Sequence, residues 1–445
     1  MLDLRSFLAE LESEGEVHRV KNVVSPRFEA AAVIRRLEGE AVVYLEKIKG
    51  FSIPTVAGVC ATRRRLFKAL KISGGSLEFY GRLAEALTNP SKCKVVRDGP
   101  VKEVSEKPNL SRLPILTFYE RDGGPYLTAG LIAARSPKSE IENVSVHRLQ
   151  VLDKHRLAIR LVPRHLHRLW KEAKEKGRPL DVAIAVGVHP AILLAASSPV
   201  PFGTSEYETA NRLMGGKLKL VECEAVEAYV PAEAEMVLEG RILPGVEVDE
   251  GPFADVTGTY DIVRKQPVIE ILKITRRRNV IYQTILPAGL EHRLLMGIGY
   301  EVKIWSSIRG VVPEVGGVNL TPGGCSWLHA VVSIGKQREG DGKNAIMAAF
   351  AGHPSLKHVV VVDLDIDVYN PYEVEWALAT RFQGSRDLVV VKEARGSSLD
   401  PSISPETGLT TKLGFDATRP LNLPEESFRK AEIPEAEEAC KKILG

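Results

Sequence analysis

The sequence predicts an α/β (α+β) protein in three parts. These are an N-terminal α/β module over 1–105, a β-barrel-like domain over 106–300, and a C-terminal α/β domain over 301–445 that ends in a helix. Three observations carry this. The chain has 445 residues, more than one ordinary domain holds. From Leu127 hydrophobicity alternates with period two over many short segments with short connections, the pattern of a barrel. Beyond about residue 300 helical and strand patterns alternate, and the apolar run Val359 to Val362 reads as a buried strand ending in Asp363.

In chain order, Leu4, Phe7, Leu8 and Leu11 share one face of a first helix. Strands follow near Glu16–Val20 and Ala41–Tyr44, then helices over Arg63–Leu70 and Leu77–Leu87. Lys107-Pro108 and Leu113-Pro114 read as a linker. Ala129–Ala134 is a strand, and Asn143–Leu152 turns at Asp153–Arg156 into Leu157–Val162, an antiparallel hairpin. His165 starts a helix with Leu166, Leu169, Trp170 and Ala173 on one face. Val182–Val186, Leu218–Cys223, Ala225–Val230, Met236–Leu243, Pro267–Thr275 and Val280–Ile285 are further strands. Gly316-Gly317 and Gly323-Gly324 are loop signals. Tyr372–Thr380 is a helix, Leu388–Val391 a buried strand, and Pro424–Leu444 a charged helix interrupted by Pro434.

Net charge is +3, which argues against a nucleic-acid binder working through a large basic surplus. The five cysteines form no CxxC pair, so neither a zinc finger nor a disulfide framework is expected, and a reducing, cytoplasmic setting fits. The start of the chain does not read as a signal peptide, and no apolar run approaches the roughly 20 residues that span a bilayer. Scarce Asn and Gln beside plentiful Glu, Lys and Arg point toward a thermophilic source.

The chemistry is organised around Glu250-Gly251-Pro252-Phe253-Ala254-Asp255. Pro252 and Gly251 exclude a helix there, so two carboxylates sit on a turn beside an aromatic ring. Such acids suit proton transfer; the plainer alternative is a solvated loop. In Asn143-Val144-Ser145-Val146-His147-Arg148 a strand would place Asn143, Ser145 and His147 on one face and Val144, Val146 and Arg148 on the other. Polarity on both faces requires partners, or else an edge strand facing water. Asn143, His165 and Glu206 would form a mixed N/O set suited to Mn²⁺ or Mg²⁺, although a lone His at a helix start, such as His165, more often has no special role. His292 and Arg293 are candidates to face a pocket, or simply begin a helix. No phosphate-loop, dinucleotide or nucleophile-elbow motif is present.

Together with Ser205-Glu206-Tyr207, Asp363-Leu364-Asp365, Gly396-Ser397-Ser398-Leu399-Asp400-Pro401 and Gly414-Phe415-Asp416-Ala417-Thr418, this ordered series resembles the UbiD family of prenylated-FMN-dependent decarboxylases over about residues 110–420. The resemblance implies a central split β-barrel that binds prenylated FMN. It implies a metal, Mn²⁺ with K⁺ as an accompanying ion, held by Asn143, His165 and Glu206. Val146, His147, Arg148, Arg160 and Leu161 would line the cofactor. Arg148, Glu250 and Asp255 would form the acid network, with Asp255 as proton donor where some members carry Glu. Like-charge repulsion from Glu250 would keep a proton available near neutral pH. The implied reaction is non-oxidative loss of CO₂ from an α,β-unsaturated acid, with the flavin as electron sink. The short chain and Asp donor suit an archaeal member acting on trans-anhydromevalonate 5-phosphate to give isopentenyl phosphate, its phosphate met by His147, Arg164, His292 and Arg293. The alternatives are an aromatic acid such as 4-hydroxy-3-polyprenylbenzoate, and a flavin-binding protein without decarboxylase activity. A flavin prenyltransferase would supply the cofactor, and the terminal helix would serve a homodimer or homohexamer.

Overall fold

The central feature of the computed structural model is a closed barrel; the described residues are 2–404, 406–431, 433–435 and 440–443. Six strands form an antiparallel ring: Met236–Glu250, Leu180–Val186, Tyr126–Arg135, Glu142–Val151, Arg156–Ile159 and Arg264–Arg276, the last pairing back onto the first. Alternation along each strand sorts its side chains between two cores. Ile132, Leu149, Leu157, Ile184, Leu238 and Ile269 converge in one cluster, closed by Leu166, Leu169 and Trp170 of the helix His165–Glu175. Leu131, Ala133, Val144, Ala183 and Val237 join a second cluster outside the ring. The expected hairpin is present, although its return strand stops at Ile159, and the Val280–Ile285 strand shrinks to Tyr282–Gln283.

The N-terminal sheet runs Val17–Val24, Val42–Ile48, Thr55–Ala57 and then Tyr282–Gln283, so a segment far along the chain completes it. The helix Leu4–Ser13 buries its four expected apolar residues and starts with a capping box between Asp3 and Ser6. The helix Glu29–Leu37 carries no sequence signal at its start, because Phe28 at φ 71 precedes it and no side chain caps it.

The C-terminal sheet has the order Val315–Leu320, His329–Ile334, His358–Asp363, Leu409–Ala417 and Leu388–Arg395. His358–Asp363 is the buried strand expected there. Leu388–Arg395 is not: it is the sheet's edge and mostly exposed, its apolar residues having only one neighbouring strand. Gly316 and Gly317 lie in a strand rather than a loop, where a Cβ on Gly316 would meet Leu364 and Ser333. The expected Pro424–Leu444 helix reduces to a 3₁₀ turn at Glu425–Phe428 and helical residues 440–443; residues 432, 436–439 and 444 lie outside the described residues. No helix among the described residues is long and apolar enough to cross a membrane.

One 20-residue helix, Leu290–Arg309, leads from the barrel side into the C-terminal sheet. Its Glu291 is fully buried and accepts the N–H groups of Gly58 and Cys60 at 2.8 and 2.7 Å. Burial, with no cation among the described residues in direct contact, pushes its carboxyl up to about 7. The folded protein therefore holds a proton there that the unfolded chain releases near the ordinary value of 4.5. This contribution is present below that value and lost as pH rises through about 7. Urea melts between pH 4.5 and 7.5 should show wild-type stability declining with pH more steeply than Glu291→Gln; equal slopes would contradict the assignment.

Candidate active site

Glu250 ends the longest barrel strand, and Arg264 opposite it begins the next. Between them the chain leaves the barrel as a small hairpin in which Phe253–Ala254 pairs with Tyr260–Asp261. Gly251 at φ 102 makes the exit turn, a conformation side chains resist. Gly258 at φ 79 makes the tip, where its N–H donates to the Asp255 carbonyl at 2.7 Å. The acids therefore sit on a braced turn, as their Gly-Pro context suggests.

Arg148 reaches this turn from the strand Glu142–Val151. Its Nε and Nη2 donate to the two Glu250 oxygens, each at 2.9 Å, a forked pair. Its Nη1 donates to Asp255 Oδ2 at 2.7 Å. The guanidinium also lies 4.7 Å from the centroid of Phe253. Glu250 is completely buried, whereas the Asp255 side chain keeps 15% of its exposure, so only Asp255 is open to a reactant. Repulsion between two bare carboxylates is not the electrostatic fact here, because the Arg148 cation lies between them. Burial opposes the charge on Arg148, yet Glu250 and Asp255 raise its pKa further, so it stays a cation.

Further residues complete the brace. Tyr126 Oη donates to Glu250 at 3.2 Å and its ring packs on Phe253 at 4.5 Å. Gln150 Oε1 accepts the Gly251 N–H at 3.0 Å while its Nε2 donates to the Gly123 carbonyl at 2.8 Å. Gly123 in turn donates to the Pro252 carbonyl at 2.9 Å. A Cβ on Gly123 would sit 2.4 Å from the Gly251 carbonyl oxygen. Gly123→Ala should thus push the acid turn aside, costing about 1–3 kcal/mol in a urea melt and most of the activity. Unchanged turnover would show that the turn tolerates the shift.

The opposite face of the same strand carries the other polar set. Glu206, 4% exposed at the start of the helix Glu206–Leu213, accepts Asn143 Nδ2 at 2.8 Å and the Val144 N–H at 2.6 Å. Both donors are neutral, and among the described residues no cation pairs with it, so burial pushes its carboxyl up to about 8. Ser145 Oγ lies 3.1 Å from Asn143 Oδ1 and 2.9 Å from His147 Nε2. The Arg160 carbonyl, 3.1 Å from His147 Nδ1, can only accept, so Nδ1 carries the proton of a ring that burial holds neutral, its pKa lowered to about 4. Ser145 then has one proton for two acceptors, and a lone pair of Asn143 is left free. The strand is not an edge facing water: it has a neighbour on each side, and its polar groups have partners.

Sequence-predicted residues are therefore brought together in two groups, Arg148 with Glu250 and Asp255, and Asn143 with Glu206. His165 is not joined to the second group by a hydrogen bond; its ring stands edge-on to Phe202, 5.2 Å between centroids. Leu161 is buried and its N–H donates to Gln266 at 2.7 Å. Val146 is half-buried against the outer core. Arg160 faces Asp261 at 3.5 Å, with Arg264 and Arg148 as further guanidiniums nearby. His292 lies near Asp255; burial lowers its pKa against the pull of that acid, and its Nδ1 accepts the Ala288 N–H at 3.0 Å. A neutral His292 thus offers only an Nε2–H donor. Arg293 is tied to the acid turn through Val256 O at 3.1 Å. Gln150, on the Arg148 face of its strand, also meets this network; Asp261, Arg264, Tyr126 and Asp122 meet it too and escape a sequence reading, since nothing local distinguishes them from ordinary strand and loop residues.

A closed barrel set between an N-terminal and a C-terminal α/β domain is the architecture of the UbiD class of enzymes. The UbiD-class enzyme HmfF from Pelotomaculum thermopropionicum, in complex with FMN, superimposes with TM-score 0.95 at 45% identity over 98% of each chain. Vanillic acid decarboxylase from Sedimentibacter hydroxybenzoicus, in its open form, gives 0.87 at 30% identity, covering 100% of this chain and 98% of that one. The chain belongs to the UbiD family of carboxy-lyases. It matches the family's 3-octaprenyl-4-hydroxybenzoate carboxy-lyase N-terminal domain over 8–94, Rift-related domain over 94–290 and C-terminal domain over 293–417. Anhydromevalonate phosphate decarboxylase from Methanothermobacter thermautotrophicus is 49% identical over 94% of this chain and 97% of that protein. The Methanosarcina mazei protein of the same name is 44% identical over 97% and 99%.

Proposed function

We propose that this carboxy-lyase uses prenylated FMN and a divalent cation to decarboxylate trans-anhydromevalonate 5-phosphate, giving isopentenyl phosphate and CO₂. The observation that carries the chemistry is Arg148 bound to buried Glu250 and partly open Asp255 at 2.9 and 2.7 Å. The substrate is supported by the near full-length similarity to the two archaeal proteins.

The site's residues fit both groups. Glu206 is a buried carboxyl with no counter-cation among the described residues, Asn143 has an oxygen lone pair to give, and a cation there would supply the balancing charge. Asn143, Glu206 and His165 would hold Mn²⁺ or Mg²⁺, with K⁺ as an accompanying ion. Val146, His147, Arg148, Arg160 and Leu161 would line the flavin, and Arg160, whose guanidinium stands 3.5 Å from Asp261, would meet its phosphate. When bound, the flavin supplies the electron sink for decarboxylation. The bond from substrate carbon to carboxylate breaks, CO₂ leaves, and Asp255 gives that carbon a proton. Arg148 holds the two acids in register, and Glu250 holds Arg148. His292 and Arg293, beside the acid turn, would meet the substrate's anionic groups. A flavin prenyltransferase would supply the cofactor, in the cytoplasm of a thermophilic archaeal cell. The working unit would be a homodimer or homohexamer; an evolved form of HmfF is dimeric.

The test is CO₂ release by protein co-expressed with a flavin prenyltransferase, on the phosphorylated enoate and on hydroxybenzoates in parallel. Turnover of the enoate is expected, and turnover of aromatic acids alone would overturn the substrate. Glu206→Gln should weaken metal binding by about tenfold or more, read by elemental analysis of the purified protein. Metal content equal to wild type would remove Glu206 from the metal site.

A further inference from the structure

Asp261 is a third carboxylate on Arg148, accepting Nη2 at 3.0 Å, and its side chain is 6% exposed. Its other oxygen is held by Arg264 and by the Ile262 N–H at 3.0 Å, and Arg160 stands 3.5 Å away. Although burial disfavours its charge, Arg264, Arg148 and Arg160 hold its carboxyl below the usual range, so it is an anion at neutral pH. Backbone pairing with Phe253 places it directly across the hairpin from the acid turn.

We propose that Asp261 is a positioning residue that anchors Arg148 between Arg160 and the acid turn, and that sets how firmly Asp255 keeps the proton it delivers. Arg148 has five N–H donors, and its Nη2 is divided between Glu250 and Asp261. Without Asp261, the guanidinium would bear more fully on Glu250 and Asp255 and would lose the contact that fixes its outer side. Arg160 and Arg264 would lose their shared counter-charge and repel Arg148.

The other groups around the acid turn do not replace it. Glu250 is already engaged by the Arg148 fork and Tyr126. Asp122, which accepts the Ala254 N–H at 3.3 Å, is a half-buried acid that burial pushes toward neutrality. His292 is neutral and Arg293 is engaged by the Val256 carbonyl. Cys325 reaches only the Thr257 carbonyl, at 3.8 Å. Asp261 is thus the remaining anion in direct contact with Arg148.

The inference rests on Asp255 as proton donor, and the experiment separates the two. Holoenzyme carrying Asp261→Asn, Asp261→Glu or Asp255→Asn is compared with wild type in kcat and KM across pH. Removing the Asp261 charge favours the ionised donor, so Asp261→Asn should move the alkaline limb of the kcat profile to lower pH. At neutral pH kcat should fall about three- to tenfold with KM little changed. Asp261→Glu, which keeps the charge, should return the limb toward wild type. A purely structural role would lower the melting temperature and scale kcat equally at every pH, and that result would overturn the proposal. If Asp255→Asn retains turnover, the donor reading itself fails. If Asp255→Asn is inactive while Asp261→Asn keeps the wild-type limb, only the role of Asp261 fails.

Discussion

Arg148→Ala should abolish decarboxylation and cost about 3–5 kcal/mol of folding stability, the usual penalty for stripping the partner from a buried charge. Glu250 has no exposure, and after the substitution only the Tyr126 hydroxyl would remain on its carboxylate. Asp255 and Asp261 would lose the same cation at once. Urea denaturation gives the stability change, and CO₂ release gives the activity. Arg148→Lys should recover part of the stability, because it restores the charge, and little of the activity, because an ammonium cannot make the fork to Glu250 while also reaching Asp255. An Arg148→Ala variant as stable as wild type would show that the fold does not depend on the Arg148–Glu250 fork.

Asp255→Asn should reduce turnover by about 10²–10⁴-fold, the range for losing a positioned proton donor, with far less effect on stability than Arg148→Ala. Its carboxylate is the open member of the pair, and Asn can still accept the Val256 N–H that Asp255 Oδ1 takes at 2.7 Å. The contrast between the two variants is the informative quantity: one removes the proton donor, the other the scaffold that aims it. Undiminished CO₂ release by Asp255→Asn would remove Asp255 from the proton-transfer step.

Much of the local structure was legible. Period-two patterning located the hairpin from Glu142 to Ile159, and helical spacing of Leu166, Leu169, Trp170 and Ala173 located the helix after it. The Gly-Pro context of Glu250 and Asp255 correctly excluded a helix. The failures have physical causes. Leu388–Val391 is as apolar as a buried strand, but only its position at the sheet edge decides exposure. Charge and composition suggested a helix from Pro424 onward, yet Glu425–Phe428 forms only a 3₁₀ turn, with no apolar face buried to hold an α-helix. The helix Glu29–Leu37 begins without a capping side chain, and so without a signal.

By itself the sequence determined which residues could do chemistry and how each is presented: alternate faces of one strand for Asn143 and Arg148, a braced turn for Glu250 and Asp255. Those are properties of a few consecutive residues and of backbone geometry. Tertiary structure alone decided the partners. Closing the ring brings Arg148 to Glu250 and Asp255 across 102 and 107 residues, and Asn143 to Glu206 across 63. It also decided the electrostatics, since the cation between the acids turns an expected repulsion into a compensated cluster and admits Asp261 as its third member. The reason is that a charge's behaviour depends on burial and on neighbours within a few ångströms, and neither is written in the residues beside it along the chain.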